Sequence, residues 1–404
     1  MESKKDRQIV THRAGWVIAD AHTVIENGYV QFESGVIRAV GNGTPKHAGT
    51  RVDHGPGVLM PALVNVHTHL ELSALHNQID FRHGFRDWVR QLITARDRTN
   101  PETLLDKAHN ALQGMRSTGT GMAGEISTTG LTRKLFSASK LAGIWFHEKL
   151  GSHTEESLAN RLTPSPAPAR QQYSLAGHAP HTTSPQLLVR LKDITRARQL
   201  PFSIHLAESC DESEFIETGK GAWANFLMER GIDFSSWGLP AGSPVQYLAR
   251  LGLLDPQTIA VHLIRADHKD MDILRQSGTR IGLCLRSNQN LHARLPDVGL
   301  MFQKGLRPCL GTDSLASTNS LNMFDEMAFV TAHFPELGPG RIFSMATVNG
   351  AQALGFEHLS GTLAPGKFGP MMYLPLTDGT TSTLLEKIVH ADFTGECVFV
   401  QDID

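Results

Sequence analysis

Eight short apolar runs recur between residues 62 and 314, and helix-like segments separate them. The runs are ALVNVHTH (62–69), GTGMAGEIS (119–127), AGIWFHE (142–148), YSLAGHA (173–179), PFSIHLAE (201–208), TIAVHL (258–263), RIGLCLRSN (280–288) and RPCLGTDS (307–314). FRDWVRQLITARDR, PQLLVRLKDITRARQ and MDILRQSG are among the segments between them. Strand-sized runs alternating with helical patterns predict parallel βα units. Eight such units in about 290 residues have the size of a (β/α)8 barrel, so the fold class expected is α/β.

Both ends of the chain have a different rhythm. IVTHRAGWVIA, VIENGYVQFES and VIRAVGNG are rich in Val, Ile, Tyr and Phe and are broken by Asn-Gly and Ser-Gly turns, so the first sixty residues read as short strands. After Ser360, GTLAPGKFG, MMYLPL and CVFVQDI also read as strand-like, and they are expected to return to the N-terminal β unit. TPSPAPAR at 163–170 reads as an exposed loop before the fourth run.

Charge and cysteine usage exclude several classes. Lys and Arg number 38 against 40 Asp and Glu, so no basic excess suggests a nucleic-acid or anionic-membrane surface. No apolar run approaches the ~18 residues of a membrane span. The opening MESKKDRQIV has no apolar core, so no secretory leader is expected. Cys210, Cys284, Cys309 and Cys397 are scattered, which fits a reducing cytoplasm and argues against a disulfide framework or a cysteine-rich zinc site.

Chemistry in such a barrel gathers where the strands end. The first run ends in His67-Thr68-His69, the second near Glu125, the third in His147-Glu148 and the fourth in His178. The fifth ends in His205-Leu206-Ala207-Glu208, the sixth carries His262, the seventh ends in Arg286-Ser287-Asn288 and the eighth in Asp313. One H-x-H proves little, because a shuffle of this composition gives about one by chance. The weight lies in the coincidence of position. His67 and His69, two apart on a strand, face one side. Together with His205 and Asp313 they offer three imidazoles and a carboxylate, the donors a borderline divalent metal prefers. Such an ion acidifies water and makes a nucleophile available near neutral pH. Glu208, three residues past His205, reaches the same mouth and suits proton transfer if burial raises its pKa. His262 can hydrogen-bond the attacking water.

Taken in order, PALVNVHTHLELS, HAPHTTS, HLAE, AVHL, CLRSN and GTDSLAS resemble the amidohydrolase superfamily, in its mononuclear purine and pyrimidine deaminase branch. The resemblance implies a barrel over residues 61–360 and a composite β-sandwich from 1–60 and 361–404. It implies one divalent cation held by His67, His69, His205 and Asp313, with Zn²⁺ expected and Fe²⁺ the alternative. It makes Glu208 the residue that protonates the ring nitrogen and then the leaving ammonia, while His262 and Asp313 orient and deprotonate the water. HTHLELSAL followed by GFRDWV is further similar to aminodeoxyfutalosine deaminases of the futalosine route to menaquinone. These are relatives of S-adenosylhomocysteine and methylthioadenosine deaminases, which act on an adenine whose 5′ substituent varies. On that resemblance Glu71, Trp88, His178, Arg286, Ser287 and Asn288 are expected at the nucleoside. Family members often form homodimers, though no interface is legible here.

Three departures stand out. Leu285 replaces the proline of the family's C-P-R-S-N loop, and Gly366-Lys367-Phe368-Gly369-Pro370 departs from G-K-x-A-D. No lysine stands in YSLAGHA to bridge two metals, which favours one ion. A hydrolase of another C–N or a C–Cl bond is the competing enzyme reading, since fold does not fix substrate. An acid beside a ring nitrogen favours deamination over it. A non-enzymatic scaffold is opposed by the complete ligand set. The cytidine-deaminase type is excluded because Pro308-Cys309 lacks the second cysteine of P-C-x-x-C. Glu125, His147, Glu148 and His181 receive no role from the sequence.

Overall fold

The computed structural model describes residues 9–152, 170–391 and 396–401. Eight parallel strands form one sheet in chain order: Leu63–Thr68, Thr120–Ser127, Ala142–Lys149, Gln171–Gly177, Phe202–Leu206, Thr258–His262, Arg280–Leu283 and Pro308–Leu310. Each pairs in parallel with the next. The first and last strands then meet. Thr68 and Asp313 form a parallel bridge, and the Asp313 and Thr312 amides donate to the His67 carbonyl at 3.0 and 3.1 Å. Gly311 permits this seam, because a Cβ there would lie 2.9 Å from the His67 carbonyl oxygen. The sheet is therefore a closed barrel, as the eight runs predict. Its strands are covered on both faces, and all eight residues of the second are buried.

The connecting helices start where local chemistry dictates. Pro101–Ser117, Pro185–Arg196 and Pro244–Arg250 each begin with proline, and each is capped by the preceding side chain: Asn100, Ser184 and Ser243. His268–Ser277 opens with a capping box between Asp267 and Asp270. These caps fix where each helix leaves the rim.

Two further sheets come from the chain ends. One has four strands in the order Val36–Asn42, Gly28–Glu33, Ile9–Arg13 and Thr50–Asp53. The other has five, in the order Val398–Gln401, Met371–Leu374, Val58–Pro61, Trp16–Asp20 and Thr23–Glu26. Val30, Phe32 and Ile37 from the first pack on Val17, Leu59 and Met371 from the second in one apolar cluster.

The structure differs from the sequence expectation in two stretches. The seventh strand stops at Leu283, and Leu285–His292 is a helix carrying Arg286, Ser287 and Asn288. Buried Leu285 and Leu291 anchor that helix, and four apolar residues just before it hide its start in the sequence. In the tail, GTLAPGKFG forms no strand, since Gly361 and Gly366 take positive φ. It nevertheless laces the two sheets, because Leu363 enters their cluster and the Gly366 amide donates to the Ile37 carbonyl at 2.8 Å. Residues 163–169 of TPSPAPAR lie outside the described residues.

Candidate active site

The carboxyl ends of the barrel strands bring His67, His69, His205, His262, Glu208 and Asp313 together, all buried. The Nε2 atoms of His69 and His205 lie 3.1 and 3.2 Å from that of His67. Asp313 Oδ1 is 3.7 Å from His69 Nε2. Ligand atoms of His67, His69 and Asp313, and likewise of His67, His205 and His262, all lie within 4.8 Å of one another. Two bonds of about 2.0–2.1 Å meeting at a tetrahedral angle place their nitrogens about 3.3 Å apart, close to the separations seen.

The outer atoms of His205, His262 and Asp313 are already committed, which leaves their inner atoms for the centre. His205 Nδ1–H donates to the His178 carbonyl at 2.7 Å, which leaves the Nε2 lone pair facing inward. His262 Nδ1 is 2.7 Å from Asn288 Oδ1, with the same consequence. Asp313 Oδ2 accepts from Ser287 at 2.6 Å and from Ser317 at 3.1 Å, so Oδ1 remains for the centre. His67 Nδ1 is buried without a hydrogen-bond partner. Burial, then the neighbouring imidazoles, hold His67 well below the usual histidine range, and burial lowers His205 to about 4. Imidazoles converging within 3.2 Å with a carboxylate beside them form a group of donors that could hold a divalent cation.

The backbone is strained at this rim. Ala207, His262 and Asp313 have φ of 51, 77 and 61°, left-handed values that cost non-glycine residues about 1–3 kcal/mol each. The fifth, sixth and eighth strands therefore turn sharply at the site.

Glu208 Oε1 lies 3.1 Å from His292 Nε2 and 3.9 Å from His262 Nε2. Burial pushes this carboxyl up, but His262 and His292 outweigh it, so Glu208 sits below the ordinary glutamate range. That reverses the sequence expectation of a raised pKa. Behind it, Glu212 accepts the Ala207 and Glu208 amides at 3.0 and 2.8 Å, and burial raises its own carboxyl to about 8.

The site opens into a cavity of about 260 Å³. His69, His205, Glu208, His262 and Asp313 form its polar floor, with His178 and His181 beside them. Phe85, Trp88, Val89 and Leu92 of helix Phe85–Arg98, and Trp223, Phe226 and Leu227 of helix Ala222–Glu229, form an apolar wall. Burial lowers His178 to about 4, and its Nδ1 is 2.7 Å from Thr182 Oγ1.

Not every residue expected at the substrate reaches the cavity in a free state. Trp88 is on the wall, with its indole N–H donating to the Ala316 carbonyl at 3.3 Å. Glu71 borders the cavity, but both its oxygens are occupied by Ser127, Thr128 and Thr129. Ser287 and Asn288 act behind Asp313 and His262. Arg286 turns to a separate cavity bordered by Asn77, Phe81 and Asn290, where it bonds Ser320 and Asn319 and lies 3.7 Å from Glu326. Glu148 lines the main cavity, with Oε1 3.6 Å from His205 Nδ1. Glu125 and His147 are not among its lining residues. Sequence reasoning missed His292, although it stands four residues after Asn288, one helical turn on.

Comparison with known proteins agrees with this architecture. Residues 58–375 match the Amidohydrolase family. The chain is 30% identical over 376 residues to the 5-methylthioadenosine/S-adenosylhomocysteine deaminase of Nitratidesulfovibrio vulgaris strain DP4, covering 85% of this chain and 77% of that protein. It is 28% identical over 369 residues to the 5′-deoxyadenosine deaminase of Methanothermobacter thermautotrophicus, covering 87% and 81%. Among solved structures, Helicobacter pylori aminofutalosine deaminase in complex with methylthio-coformycin superposes with a TM-score of 0.84 at 23% identity, covering 98% of this chain and all of that one. At that identity the match speaks for the fold.

Proposed function

Because the chain belongs to the amidohydrolase family, we propose that its cavity deaminates an adenine nucleoside by metal-dependent hydrolysis. Aminodeoxyfutalosine, giving futalosine and ammonia on the route to menaquinone, is the first substrate to test. S-adenosylhomocysteine, methylthioadenosine and 5′-deoxyadenosine are the alternatives, and the names of the 30%- and 28%-identical relatives support an adenine with a variable 5′ group. One observation carries the reading. An ionisable carboxyl, Glu208, stands beside a convergent His67–His69–His205–Asp313 donor set on the floor of a cavity whose wall is apolar. The wall suits a purine and its substituent, and the floor suits chemistry at a polar ring edge.

His67, His69, His205 and Asp313 would hold the cation, and Zn²⁺ fits their nitrogen and oxygen donors. When bound, it would acidify water and so supply a nucleophile at neutral pH. The protein's own groups manage the protons. The oxygen of water adds to the ring carbon bearing the amino group. Glu208, held ionised by His262 and His292, takes one proton and passes it to the adjacent ring nitrogen. His262 and Asp313 orient the water and take up its other proton, which Glu208 relays to the departing amine so that it leaves as ammonia. The water contributes both hydrogens, so nothing further is consumed.

The test is ammonia release by the zinc-loaded protein across adenosine, 5′-deoxyadenosine, methylthioadenosine, S-adenosylhomocysteine, aminodeoxyfutalosine, guanine and cytosine. Highest kcat/KM on aminodeoxyfutalosine is expected. Preference for guanine or cytosine, or release from none, overturns the proposal.

A further inference from the structure

The helix Leu285–His292 reaches three reacting groups at once. Ser287 donates to Asp313, Asn288 meets His262, and His292 Nε2 lies 3.1 Å from Glu208 Oε1. Asn288 and His292 project from one face because they are a turn apart. The Phe85 ring lies 4.7 Å from the His292 ring and holds it in place. On its other side His292 borders a second, polar cavity of about 730 Å³. Glu208 lines the main cavity and not this one.

We propose that His292 is a positioning residue for Glu208: it grips Oε1 from the rim and leaves the second oxygen for proton transfer. The inference rests on Glu208 being the proton carrier. His262, His292, His205 and Glu212 face that carboxyl from the sixth strand, the seventh-strand helix, the fifth strand and helix Cys210–Thr218. His178 and His181 also feel its charge. Across the outer cavity, His83, Arg86, Asp87, Arg90 and Asp211 face His292.

The experiment compares His292→Phe with His292→Gln in the zinc-loaded protein. His292→Phe is expected to lower kcat about 10–100-fold with KM nearly unchanged. Without its partner Glu208 holds a proton more strongly, so the acidic limb of kcat against pH moves to higher pH. His292→Gln, which keeps an N–H at similar reach, should restore most of the rate. Equal losses in the two variants, a loss confined to KM or an unmoved limb overturns the proposal. If the wild type deaminates no nucleoside, the functional reading fails, and ¹⁵N-imidazole spectra of the zinc-loaded protein decide the pairing without turnover. The His292 ring-nitrogen resonances, identified by their absence in His292→Phe, should change in chemical shift in Glu208→Gln. Unchanged resonances there reject the pairing.

Discussion

On the cavity floor, His69, His205 and Asp313, with His67 behind them, sit at strand ends fixed by the β ladder, whereas the wall above them is made of helices that fill the connections after the first and fifth strands. The floor is over-determined. Its outward atoms are hydrogen-bonded by Ser287, Ser317, Asn288 and the His178 carbonyl, and its backbone holds three left-handed residues. The wall is mostly side-chain packing: Phe85, Trp88 and Phe226 present rings, with few polar anchors such as the Trp88 N–H. On the proposed function, reaction type belongs to the floor and the range of substituents tolerated belongs to the wall. Substitutions in the two regions should fail in different ways.

The largest expected effect tests the floor. Glu208→Gln should lose about 10²–10⁴-fold in kcat while metal content, read by elemental analysis, stays stoichiometric. Turnover surviving that change would take the proton role away from Glu208. Asp313→Ala should leave the protein folded by circular dichroism, with metal affinity reduced by more than the ~10–100-fold typical of losing a mere supporting contact. Full activity with stoichiometric metal would remove Asp313 from the donor set. Asn288→Ala, which frees His262 Nδ1, should cost about 10–100-fold in kcat with metal retained. The smallest effect tests the wall. Phe226→Ala should raise KM about 10-fold for substrates with a bulky 5′ group and leave kcat intact. An equal change for 5′-deoxyadenosine would mean that the wall does not read the substituent.

What the sequence disclosed follows the same division. Strand-end histidines and Asp313 were legible because each closes an apolar run, and a barrel sends such positions to one rim. The supporting residues were not legible. The resemblance put Ser287 and Asn288 at the nucleoside, and only the helix that begins at Leu285 sets them behind Asp313 and His262. Glu71 bears a charge that suits a ligand, yet the loop after the second strand satisfies it, a long-range pairing no local pattern encodes. Arg286 is likewise drawn off by Ser320 and Glu326, from a segment more than thirty positions away. The downward shift of Glu208 comes from His262 and then His292, and the approach of His292 depends on how that helix docks.

The seam of the barrel gives the cation a mechanical meaning. His67 and His69 stand on one side of the Thr68–Asp313 junction and Asp313 on the other, across a separation of 245 residues. An ion gripping all three would act as a clasp on the finished ring, fastening the earliest strand to the latest. Closing so long a loop is entropically expensive, so the final strand should dock more firmly once the clasp is in place. Chelation would then slacken the circumference at this joint before it disturbs the opposite arc.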